Sequence, residues 1–106
     1  MLNLNTIAPD AVAIIRRNLD EYKAHMATAD DLADQMYDES TPDDEVRTLD
    51  MMWKMAYAIA KDSKARLARS IAVFSKGLIT KEQALEMVSD EKELARIDAL
   101  LKRFAA

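Results

Sequence analysis

The stretch Ser40-Thr41-Pro42-Asp43-Asp44 decides how the chain folds. A Ser/Thr pair ahead of a Pro at the first helical position, with acids in the first turn, is a helix start. On both sides of it Ala, Leu, Met, Lys, Arg, Asp and Glu dominate, a composition that favours helix over strand. A second break lies at Ser75-Lys76-Gly77-Leu78-Ile79-Thr80, where Gly77 suits the left-handed residue that ends a helix. Thr80 and Gln83 then have the spacing of a capping box, with Ile79 and Ala84 as its apolar staple. Asn5 or Thr6, ahead of Pro9, marks a softer first start. These signals predict helices over about 8–39, 42–76 and 81–104. Ser89-Asp90 can cap a restart inside the third.

The first two helices carry matching seams. Ala8, Val12, Ile15, Leu19, Tyr22, Met26, Ala29, Ala33 and Met36 repeat with alternating steps of four and three. Val46, Leu49, Trp53, Ala56, Ala60, Ser63, Leu67, Ser70 and Phe74 do the same. Folding the chain back at Thr41 brings the two sets level, with Met26 facing Ala56, Tyr22 facing Ala60 and Trp53 facing Ala29. Large side chains opposite small ones fill space between antiparallel helices, and the 4-3 repeat implies a shallow left-handed crossing.

Leu85, Val88, Leu94, Ile97, Leu101 and Phe104 give the third helix a stripe of its own. Its expected partners are the second-row residues Met52, Met55, Ile59 and Val73, with Ile7, Ala11 and Ile14. The fold class is therefore all-α: a long antiparallel helical hairpin plus a shorter third helix, an up-down-up three-helix bundle forming one domain over 1–106.

Composition narrows the function. Among 106 residues there are one Gly, two Pro and no Cys, which excludes disulfide scaffolds, thiol chemistry, zinc ribbons, P-loops and Gly-rich dinucleotide motifs. No basic start leads into an apolar run and no stretch reaches membrane length, so a soluble, cytoplasmic protein is expected. His25 is the only histidine, which leaves no triad and no His-metal pair within one chain. Asp30, Asp34 and Asp38 share a helix face but lack the Gly and spacing of a calcium loop. The expectation is a non-enzymatic protein without cofactor or metal.

Charge is unevenly placed. Residues 30–50 carry nine acids against Arg47, whereas residues 51–76 carry six bases against Asp62, within a chain whose net charge is −4. An acidic turn end and a basic half follow. The leading expectation is a protein that binds another protein, as adaptor, chaperone or inhibitor, and forms a homodimer. Met51, Met55 and Tyr57 supply an adaptable apolar contact, with Asp38, Asp43 and Asp44 as rim charges. The acidic end can also imitate a phosphate backbone, as small phage-type inhibitors of host defence systems do as a class. The alternative is a nucleic-acid-binding module using Arg16, Arg17, Lys61, Lys64, Arg66 and Arg69.

Overall fold

The two seams form the predicted hairpin. A computed structural model describes residues 9–105, with side chains through Arg103, and contains four helices: α1 (Pro9–Met36), α2 (Asp43–Phe74), α3 (Lys81–Ser89) and α4 (Glu91–Ala105). All are α-helical, and there is no strand among the described residues. α1 and α2 share the most extensive interface. Every described member of both seams is buried or half-buried. At 28 and 32 residues, these helices run about 42 and 48 Å at about 1.5 Å per residue, and the molecule measures 52 × 28 × 21 Å. Ala8 and Ile7 lie outside the described residues, as does the side chain of Phe104.

The first turn is tighter than the sequence predicts. α1 ends at Met36, not near 39, because Asp38 and Glu39 would oppose the negative end of its dipole. The Thr41 hydroxyl donates to the Gln35 carbonyl at 2.7 Å, closing the end of α1 instead of capping α2. Pro42, extended at φ −62° and ψ 149°, occupies the N-cap position of α2 without a side-chain cap bond, so Asp43 is the first helical residue. The Val46 amide donates to its carbonyl at 3.1 Å.

α2 ends at Phe74, two residues before the expected limit. Lys76 as well as Gly77 takes positive φ, 57° and 87°, so two left-handed residues reverse the chain. Buried Ser75 secures this corner: its hydroxyl donates to the Ala72 carbonyl at 2.8 Å and accepts from the Ile79 amide at 3.1 Å. The predicted capping box is present, with the Gln83 amide donating to Thr80 Oγ1 at 3.1 Å and the Thr80 amide to Gln83 Oε1 at 2.9 Å. Ile79 and Ala84 are both buried in the core.

The third helix is two helices. Asp90 breaks it, its Oδ1 accepting from the Lys92 amide at 2.9 Å and so capping α4. α3 packs on α2, while α4 packs on α3 and returns to α1. The Asp98 carboxylate meets Lys23 of α1 at 3.1 Å and Lys102 at 3.2 Å. The core gathers Val12, Ile15, Leu19, Leu67, Ala68, Ile71, Val88, Ile97 and Leu101 at the open end of the hairpin.

One packing expectation is overturned. Met52, Met55, Ile59, Val73 and Ile14 are exposed and do not receive the third helix; of the described residues expected there, Ala11 alone is buried, in the core. Leu85 is also exposed, and Ala84 takes its place in the core beside the expected Val88. The cause is side-chain size. At 100° per residue, Ala68 and Ala72 lie on the other flank of α2, where small side chains admit a close helix. The Lys76–Gly77 corner delivers the chain to that flank.

Candidate interaction surface

With α3 and α4 on one flank of the hairpin, no described helix covers the opposite flank. On α2 it follows a second heptad stripe: Thr48, Met52, Met55, Ile59, Asp62, Arg66, Arg69 and Val73, again in alternating steps of four and three. Met55 is 67% exposed, Val73 63% and Ile59 50%. Ile14 lies on the same side of α1. Such a row, sustained along one helix, exceeds the singly scattered apolar residues of an ordinary surface. Met51, also 67% exposed, stands at its edge. The sequence carries this stripe openly, but its regular spacing suits a packed third helix equally well.

Tyr57 sits on the other side of α2. Its ring stacks on that of Trp53 with centroids 5.2 Å apart and planes 16° from parallel. Across the seam, burial, followed by the nearby Tyr57 phenol and Asp30, holds the Tyr22 phenol above its usual pKa. Tyr57 thus belongs to a cross-seam aromatic group and not to the methionine stripe. The structure brings Met51 and Met55 together and sets Tyr57 apart from them.

The acidic residues crowd the turn end. Asp38 accepts from the Ser40 hydroxyl at 2.7 Å and the Ser40 amide at 2.9 Å, and these two bonds, in that order, hold its carboxyl below the usual range. Asp43, Asp44 and Glu45 occupy the first turn of α2, where they complement the positive helix end. An open groove of about 420 Å³ runs between the helices here, lined by Gln35, Asp38, Thr41, Glu45, Thr48 and Leu49. It leads onto the methionine stripe through Thr48, one turn before Met52. Sequence reasoning did not find Gln35 or Thr48, whose role as groove walls depends on the turn geometry.

The basic residues do not form one surface. By helical angle, Arg16, Lys61 and Lys64 fall on the flank that carries α3 and α4, Arg66 and Arg69 fall on the open flank, and Arg17 points straight away from the seam. Arg66 also pairs with Asp62 one turn earlier. A second open groove, of about 390 Å³, lies beside the 75–80 corner between Leu78, Met87 and the carboxylate-bearing Glu86, Asp90 and Glu93. His25 is half-buried on the open flank. Among the described residues no three His, Asp or Glu side chains converge as a metal would require, and no helix is long and apolar enough to cross a membrane.

Comparison with known proteins gives no match: no family model, no curated protein and no solved structure is similar to the chain.

Proposed function

We propose that the protein is a non-enzymatic interaction protein that binds another protein through the open flank of its hairpin. The observation that carries this reading is the exposed row Met52, Met55 and Ile59 on a rigid helix, continuous with the acidic groove at the turn. Met51 and Met55 supply adaptable contact area, since an unbranched thioether fits varied surfaces. Asp38, Asp43 and Asp44 form a charged rim that accelerates encounter with a basic surface and selects against acidic ones. An inhibitor or adaptor role follows from occupation of the partner's surface. Tyr57 takes no direct part, because it lies on the other side of α2.

The nucleic-acid alternative is supported less well by the geometry. Its six basic residues are divided between the two flanks and the outer face of α1, so no single phosphate track meets them all.

Affinity capture with the full chain from its native host tests the proposal. Met51→Asp is expected to abolish capture of the partner while leaving the helical circular dichroism unchanged. Partner capture that survives Met51→Asp, or retardation of duplex DNA at low salt that depends on Arg66 and Arg69, overturns it.

A further inference from the structure

The open flank is not only apolar; along its length it changes from acidic to apolar to basic. Glu45 lies one turn before Thr48, Met52 to Ile59 are the apolar middle, and Arg66 and Arg69 follow. A surface graded in this way is complementary to itself when turned end for end. We infer that the occupant of this flank is a second copy of the chain, docked antiparallel so that α2 lies along α2. This inference rests on the reading of the flank as a protein-binding surface and names its partner.

The spacing fixes the register. In antiparallel heptad pairing, each seam position faces the alternate position of the partner helix. The register that joins the apolar middles sets Met55 of one copy against Ile59 of the other, and the reverse by symmetry. Thr48 then faces Arg66, and Glu45 faces Arg69. Met52 meets the level of Asp62, whose carboxylate is already turned to Arg66 within its own helix. A parallel arrangement would instead set the acidic turn ends side by side, with nine acids in residues 30–50 of each copy. Like charges at that density oppose association, so charge as well as spacing selects the antiparallel form.

The area suffices. The paired segment from 45 to 69 is about 36 Å long, and two packed helices are about 20 Å wide, giving roughly 700 Å² per copy against the ~800 Å² of a standard specific interface. A two-fold axis makes each contact occur twice. The product is a four-helix layer of two hairpins, with α3 and α4 of each copy on the outside.

Sedimentation velocity on the full chain reads the outcome. A species of twice 12.0 kDa is expected. Met55→Asp is expected to raise the dissociation constant by at least ~10-fold without loss of helicity, since its side chain is not part of the monomer core. Glu45→Arg is expected to weaken the dimer, and Glu45→Arg combined with Arg69→Glu to restore it. Because the chain has no cysteine, cross-linking checks the register directly. An equal mixture of Met55→Cys and Ile59→Cys chains should form the mixed disulfide faster than either forms its own. A wild-type chain that remains monomeric, or a dimer indifferent to Met55→Asp with no preference for the mixed disulfide, overturns the inference. A monomer that still captures another protein in a Met51-dependent way overturns only the second copy, whereas a monomer that captures nothing overturns the binding surface too.

Discussion

Asp98 shows how one side chain ties the last helix to the first. Burial alone would raise its carboxyl, but hydrogen bonds and charge from Lys23 and Lys102 outweigh that, and its pKa lies below the usual aspartate value. A carboxyl whose pKa is lowered on folding adds stability above its unfolded pKa, and this is lost as pH falls through the folded value. Asp98→Asn is therefore expected to lower stability at neutral pH. The difference from wild type should shrink as the pH falls through and below the ordinary carboxylate range. Denaturant melts of both chains across acidic pH check this, and a pH-independent difference would assign the effect to packing. Thr80 is the comparable single residue at the opposite corner. Removing its hydroxyl takes away the acceptor of the Gln83 amide and leaves the bond from the Thr80 amide to Gln83 Oε1 in place, so Thr80→Ala should cost about 1 kcal/mol in the same melts, with Thr80→Ser close to wild type.

At the scale of elements, what was legible in the sequence is what depends on neighbours in the chain. The heptad seams, the Thr80–Gln83 box and the Asp90 restart are local patterns, and each appears in the structure. The flank chosen by α3 and α4 was not legible, because α2 has two stripes that could receive a helix. Met52, Met55 and Ile59 are large and apolar, and hydrophobic periodicity favours them. Ala68 and Ala72 instead let a helix approach closely, and the corner at Lys76 and Gly77 determines which side it reaches. The candidate surface was half legible for the same reason: Met51 and Met55 are exposed side by side on α2, as their spacing allows, whereas Tyr57 lies on the other side of α2 with its ring stacked on Trp53. The choice of flank makes an asymmetric prediction. Ala68→Leu should overpack the α2–α3 contact and destabilise by about 1–3 kcal/mol. Ile59→Leu, on the open flank, should leave the unfolding free energy of the monomer within about 0.5 kcal/mol. Equal effects at the two positions would mean that α3 does not rest on Ala68.

For the whole molecule, the core is confined to one end of a rod. The buried cluster draws on residues 11–19, 67–71 and 79–101, where four helices meet. Beyond it the hairpin is only two helices thick, with Ala29, Ala60, Ser63 and the off-seam Leu32 buried and the other seam residues half-buried. This same end holds nine acids between residues 30 and 50, whose mutual repulsion loosens it further. Local opening free energy follows buried contact density, so protection of backbone amides should fall from the four-helix end to the turn. In native-state hydrogen exchange on the monomeric Met55→Asp chain, amides near Ile15, Leu67 and Ile71 are expected to exchange only by global unfolding. Those near Ala33 and Leu49 should exchange through a smaller, separate opening. Added salt should slow exchange at the turn end, where it screens acids against one another, and leave the four-helix end unchanged. In the wild-type chain, the proposed docking of a second copy on α2 would cover the segment from Glu45 to Arg69, so the gradient should flatten there and steepen again on dilution. Uniform protection along the hairpin of the monomer would show that the rod opens as one unit, and that the turn end is held by more than its two helices.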